Sequence, residues 1–153
     1  MYSGPGADGH GGDDGDDSPS GPLILIVEDD PETRHFYVDA LKLHGFRTDD
    51  AHNGLQALEK AFAVTPDLVL ADIAVPGIDG IELCRRLRAD IRTRDVPVLA
   101  VTGYENRRYT DRALSAGADR VLIKPCEPDA LVREIRNLVS NRRVWMNAHG
   151  KPA

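Results

Sequence analysis

No apolar run in these 153 residues approaches the roughly 20 needed to cross a bilayer. The amino terminus also lacks the basic start and apolar segment of a secretory signal. A protein that stays in the cytoplasm, away from membranes, is expected. Cysteine is scarce: Cys84 and Cys126 stand far apart, without the His/Cys spacing of a zinc site. Two reduced, ordinary thiols in a reducing compartment follow. Lys and Arg are missing altogether from residues 1–20, and the net charge of −6 comes mostly from Asp8, Asp13, Asp14, Asp16 and Asp17. The remainder is close to neutral, so direct nucleic-acid binding, which draws on a clustered basic face, is not expected.

What is present falls into two textures. Residues 1–21 consist largely of Gly, Asp, Ser and Pro with almost nothing to bury, and ordering them would cost entropy without return. A disordered tail is predicted. Its aspartates offer a metal loop as the alternative, but show no ordered loop geometry. From Leu23 onward short apolar runs alternate with helical patterns, over a length that suits one compact domain. The runs are LILIV at 23–27, LVLA at 68–71, VLAVT at 98–102 and VLI at 121–123. Such near-continuous runs predict strands buried on both faces. A weaker strand, Arg47 to Ala51, follows a helix stop at His44-Gly45.

Helical patterns lie between the strands: Pro31 to His44, Gly54 to Val64 with Leu55, Leu58 and Phe62 on one face, Ile78 to Asp90, and Glu105 to Ala116. A last helix runs from about Pro128 past Ser140, with Leu131, Ile135, Leu138 and Val139 as a core-facing stripe. Strict alternation of strand and helix implies right-handed crossovers and a parallel sheet covered on both sides. The predicted fold class is α/β, a five-stranded parallel doubly wound sheet. Ligands in such folds bind beyond the carboxyl ends of the strands.

Those ends are polar. The first strand finishes in Glu28-Asp29-Asp30, the third in Asp72, the fourth in Thr102-Gly103 and the fifth in Lys124-Pro125. Glu28, Asp29 and Asp72 gathered in one pocket would repel one another and raise their pKa values unless a cation compensated, and Mg²⁺ suits an oxygen-only set shared with phosphate. A carboxylate can also attack phosphorus to form an acyl phosphate. Phosphoryl transfer needs positioning and positive charge above all, which Mg²⁺ and Lys124 supply, with Thr102 as a hydrogen-bond donor.

In order and spacing, ILIVEDD at 24–30, DIAVPGIDG at 72–80, VTG at 101–103 and KP at 124–125 resemble the signature of bacterial response regulator receiver domains. The resemblance covers about residues 22–140, leaving 141–153 as a short carboxyl-terminal extension. It implies a flavodoxin-like sheet in the order 2-1-3-4-5. By position, Asp72 is the phosphoacceptor, Asp29 a direct Mg²⁺ ligand, Glu28 an assistant through water, and Ala74 a donor of its backbone carbonyl to the metal. Thr102 and Lys124 then contact the phosphoryl group. Asp30 falls outside this set and is read as the cap of the helix that begins at Pro31. The Lys124–Pro125 bond is cis in most receivers, and Asp79-Gly80 is assigned structural work in the loop after the acceptor.

Two departures stand out. Many receivers carry Tyr or Phe three residues before the lysine, where this chain has Val121, so phosphorylation must be announced through Thr102 alone or by another route. Flanking the pocket, Ala74 leaves water an approach to the acyl phosphate while Tyr104 covers it, and the phosphoryl lifetime stays open. Arg107, Arg108, Tyr109 and Arg112 form a basic face read as solvated surface rather than a docking site. His10, His35, His44, His52 and His149 show no motif.

The resemblance implies a signalling module rather than a dedicated enzyme. It would receive phosphate from a histidine kinase or histidine phosphotransfer protein and act on a downstream protein, or through an output domain absent from this sequence. A degenerate receiver that only binds partners is one alternative. An aspartyl-phosphate hydrolase is another, although Glu28-Asp29-Asp30 lacks the Asp-x-Asp such enzymes place after their first strand.

Overall fold

The computed structural model describes residues 20–149, apart from the side chains of residues 104, 143–147 and 149. The stretch read as a tail lies, through residue 19, outside the described residues, as do His10, residues 150–153 and the side chains of Tyr104 and His149.

Five strands, β1 (Leu23–Val27), β2 (Arg47–Ala51), β3 (Leu68–Asp72), β4 (Val98–Thr102) and β5 (Arg120–Ile123), form one parallel sheet in the order β2-β1-β3-β4-β5. Helices α1 (Pro31–Leu43), α2 (Gly54–Ala63), α3 (Gly80–Ala89), α4 (Thr110–Ala116) and α5 (Pro128–His149) cover it. This is the predicted doubly wound sheet in the predicted strand order. Successive strand residues point to opposite faces. Ile24, Ile26, Leu68, Leu70, Leu99 and Val101 therefore pack with Tyr37 and Leu41 of α1 and with Leu131, Ile135 and Val139 of α5. Leu25, Val27, Val69, Ala71, Val98 and Ala100 pack on the other side with Ala57 and Leu58 of α2, Leu83, Cys84 and Leu87 of α3 and Ala113 of α4. Two cores explain why the three central strands are apolar at nearly every position.

Four expectations need correction. Leu55 is 53 % exposed, because the buried face of α2 runs through Gly54, Ala57, Leu58 and Ala61, which lets the helix approach the sheet on small side chains. The run at 121–123 is not buried on both faces: β5 is an edge strand, and Ile123 is 42 % exposed. The helix predicted from Glu105 is 3₁₀ over Tyr104–Tyr109 and becomes α only at Thr110, since neither Gly103 nor Tyr109 supplies a side-chain cap. The helix predicted from Ile78 starts at Gly80, where Asp79 caps it by accepting from the Glu82 amide at 2.8 Å.

Other local signals hold. The Asp30 side chain accepts from the Thr33 amide at 2.9 Å ahead of Pro31, and so caps α1. The helix closes at His44, followed by Gly45 at φ 91°, the left-handed conformation that glycine adopts at low cost. The Lys124–Pro125 bond is cis. Cys84 and Cys126 are free thiols, the first buried in the core, where burial pushes its pKa up to about 11.

One charged side chain works as structure. Arg88 of α3 donates to the carbonyls of Gly117 at 2.8 Å and Val96 at 2.6 Å, and pairs with Asp119 at 2.9 Å, tying α3 to the entrances of β4 and β5. Arg88→Met would keep the aliphatic stem and leave those carbonyls without their cationic donor. A loss of about 2 kcal/mol is expected in urea unfolding. A wild-type midpoint would show that water replaces the guanidinium without cost.

Candidate functional site

The sheet order reverses beside β1, whose chain leaves for α1 on one face while β3 leaves for α3 on the other. A crevice therefore opens at the carboxyl ends of the strands. Parallel register brings the end of β3 next to that of β4, with Asp72 opposite Val101 and Thr102 opposite Ile123. The backbone continues the pattern past the strands: the Glu28 amide donates to Ala51, and the Lys124 amide to Thr102 at 2.8 Å.

Three of the residues singled out from the sequence meet there. Lys124 Nζ lies 2.7 Å from Asp72 Oδ2 and 3.2 Å from Glu28 Oε1, bridging the two carboxylates. Asp72 Oδ1 accepts from the Ala74 amide at 2.8 Å, so both of its oxygens are fixed. Glu28 is only 2 % exposed, and its Oε2 accepts from the Asp30 amide at 3.1 Å. Thr102 is buried, and its hydroxyl faces the Gly103 carbonyl at 3.4 Å instead of Asp72. Asp29 is exposed at the end of β1. Among the described residues, no three His, Cys, Asp or Glu side chains stand in metal-holding geometry.

Burial raises the Glu28 carboxyl above the ordinary glutamate range; the charge of Asp72 adds to the rise, which the Asp30 amide and Lys124 only partly oppose. Burial alone would lower the Lys124 ammonium, but the hydrogen bond to Asp72 and the charges of Asp72 and Glu28 outweigh it and raise the pKa. The cation is therefore held, and the acid beside it is only partly compensated.

A pH dependence follows. A carboxyl whose folded pKa exceeds its unfolded one binds its proton more tightly in the folded chain. Its contribution to stability is complete below the unfolded pKa and is lost as pH rises through the folded value. Glu28→Gln keeps the acceptor and removes the charge. It is expected to be more stable than wild type at neutral pH, with the gap closing as pH falls toward the ordinary glutamate range. Urea melts of both chains across that range test it, and a gap that widens on acidification would reverse the sign.

Neighbours of this cluster carry no motif of their own in the sequence. Arg34 of α1 is 8 % exposed and donates to the Glu28 carbonyl at 3.0 Å. The signal was available, because positions 34, 37 and 41 share one buried face. A groove of about 710 Å³ opens beside Lys124, lined among others by Phe36, Tyr37, Glu105, Pro125 and Cys126. Across the crevice, Tyr109 packs on the same core as Val121, with the guanidinium of Arg108 4.6 Å from the centre of its ring. It is thus partly drawn into the fold, more than a wholly solvated face would be.

Comparison with known proteins agrees with this arrangement. The response regulator receiver domain family matches residues 24–136. The chain is 38 % identical over 113 residues to the DNA-binding response regulator MtrA of Mycolicibacterium smegmatis, covering 74 % of this chain and 48 % of that protein. Against the DNA-binding dual master transcriptional regulator RpaA of Synechocystis it is 33 % identical over 118 residues, covering 77 % and 49 %. The chain thus spans about half the length of these curated relatives. Among solved structures, the receiver domain of a sensor histidine kinase from Pseudomonas aeruginosa, which has a magnesium ion coordinated in its active-site cleft, superposes with a TM-score of 0.74 at 30 % identity, over 79 % of this chain and 99 % of that one. With strand order, strand-end chemistry and sequence in accord, the chain belongs to the response regulator receiver domain family of two-component signalling.

Proposed function

We propose that this receiver accepts a phosphoryl group on Asp72 from the phosphohistidine of a kinase or phosphotransfer protein, in a Mg²⁺-dependent reaction, and that the modification changes its affinity for a partner. The observation that carries the reading is the Asp72 carboxylate, clamped between the Lys124 ammonium at 2.7 Å and the Ala74 amide at 2.8 Å. A clamped carboxylate is oriented for attack, and a P–O bond forms as the donor's P–N bond breaks, its electron pair leaving on the imidazole nitrogen. Lys124 then stays beside the phosphoryl oxygens and offsets their charge. The Thr102 hydroxyl turns from the Gly103 carbonyl to donate to the same group.

The donor chemistry fits Mg²⁺. The carboxylates of Glu28, Asp29 and Asp72 offer oxygen only, and the buried Glu28, held above its ordinary pKa, gains from added positive charge. Asp29, Asp72 and the Ala74 carbonyl would hold the ion and Glu28 would assist through water; the similar Pseudomonas receiver has a magnesium ion coordinated in its active-site cleft. When bound, Mg²⁺ would supply positive charge that offsets the negative charge the transferring group spreads over its oxygens. The groove beside Lys124 gives a donor histidine room to approach. Output passes to a separate protein or a further domain in the cytoplasm, and the chain assists its own modification without being a dedicated enzyme.

The test is incubation of the full chain with acetyl phosphate, with Mg²⁺ or with EDTA, read by intact mass. One hydroxylamine-labile phosphoryl group per chain, formed only with Mg²⁺, is expected. No uptake from acetyl phosphate or from a phosphohistidine donor would leave a partner-binding module, and steady turnover of a free organic phosphate would mark a hydrolase.

A further inference from the structure

Arg34 has no part in the chemistry above, yet its placement is costly. A buried guanidinium is penalised unless its donors find partners, and an apolar residue of similar size would fill the same helix face with less penalty. Nη1 donates to two consecutive carbonyls, Glu28 at 3.0 Å and Asp29 at 3.4 Å. Nε stands 3.2 Å from Asp50 Oδ2, an ion-pair contact without a directed hydrogen bond. Asp50 sits on β2 opposite Ile26 of β1. The side chain thus reaches from α1 across the end of β1 to β2, and the peptide units it grips are those that carry the two acids.

We propose that Arg34 is a positioning residue for the Glu28–Asp29 pair: by holding both carbonyls against an anchor on β2, it sets the direction in which the two carboxylates leave the strand. The inference rests on the proposed Mg²⁺-dependent reading of the site. It also explains why the helix face shared with Tyr37 and Leu41 includes an arginine. Asp72 is held separately, by Ala74 and Lys124, so loss of Arg34 weakens the cation site while sparing the acceptor.

The experiment titrates Mg²⁺ into the 153-residue wild type, Arg34→Met and Arg34→Lys by calorimetry, and measures phosphorylation by acetyl phosphate at saturating Mg²⁺. Removing an outer support of a metal ligand commonly weakens affinity by about tenfold or more, and that loss is expected for Arg34→Met. Its phosphorylation rate at saturation should remain near wild type. Arg34→Lys keeps the charge but not the fork that reaches two carbonyls and Asp50 together, so it should bind Mg²⁺ about as weakly, and it carries the comparison if the methionine variant does not fold. A methionine variant that melts earlier yet binds Mg²⁺ like wild type would reduce Arg34 to packing and overturn the proposal. A lysine variant equal to wild type would overturn it too, by showing that charge alone suffices. Failure of the wild-type chain itself to bind Mg²⁺ would instead bring down the functional reading, and this inference with it.

Discussion

Asp72→Asn is expected to take up no phosphoryl group from acetyl phosphate and Mg²⁺, a loss bounded only by detection, while remaining folded. Asparagine has the shape of aspartate, and its amide oxygen can still accept from the Ala74 amide now found at 2.8 Å. What disappears is the anionic oxygen, and a neutral amide is no nucleophile toward phosphorus. The same change acts on the rest of the cluster. Lys124 loses its 2.7 Å partner and keeps Glu28, at 3.2 Å. Glu28 loses the neighbouring charge that helps to raise its pKa, so its carboxyl should titrate lower than in wild type. Intact mass on both chains reads the first effect, and carboxyl NMR titration of Glu28 reads the second. Equal labelling would move the acceptor elsewhere, and an unchanged Glu28 would mean that the two carboxylates do not sense each other.

The fold was legible because its strongest signal is physical redundancy: a strand between two helical layers must be apolar at each position, as LILIV at 23–27 and VLAV at 98–101 are. Polar residues directly after such runs lie at the carboxyl ends of the strands, which pointed to Glu28, Asp72 and Lys124 before any contact between them was visible. Local chemistry was equally readable at Asp30, since a cap needs nothing beyond the next few residues. The parts that escaped depend on what lies across space. Leu55 reads as core until the small residues of α2 are seen against the sheet, and Val121 to Ile123 read as buried on both faces until Ile123 is found exposed on the edge strand. Arg34 and Arg88 stand in no motif, a charged residue ordinarily lies at the surface, and the burial of Arg34 and the half-burial of Arg88 depend on carbonyls supplied by other segments. The direction of the Thr102 hydroxyl is a rotamer choice that composition does not encode.

Gly80→Ala is expected to lower both stability and phosphorylation, although Gly80 touches no reacting atom. A Cβ there would stand 2.6 Å from the Ile73 Cα and 2.9 Å from the Asp72 carbonyl oxygen. Both are backbone atoms of the acceptor segment, so no side chain can rotate away. The approach is tight because the Gly80 amide donates to the Ile73 carbonyl at 2.8 Å, drawing the start of α3 onto the end of β3. Something must move, and the cost is set at roughly 3 kcal/mol by comparison with overpacked cores, a fall of roughly 10 °C in melting temperature. Either the helix start shifts and strains the cap at Asp79, or the Asp72 peptide shifts and carries the carboxylate off its clamp. A displacement near 1 Å at the acceptor costs about 100-fold in rate, so phosphorylation should slow well beyond the fraction unfolded. Gly103→Ala is the matched control. The atoms nearest its added Cβ belong to the Glu105 carboxylate, at 2.9 Å, the free end of a side chain that can swing aside. It should therefore melt close to wild type. Two alanine variants with equal melting temperatures would show that the β3–α3 contact yields as readily as a surface side chain, and that Asp72 owes its position to Ala74 and Lys124 alone.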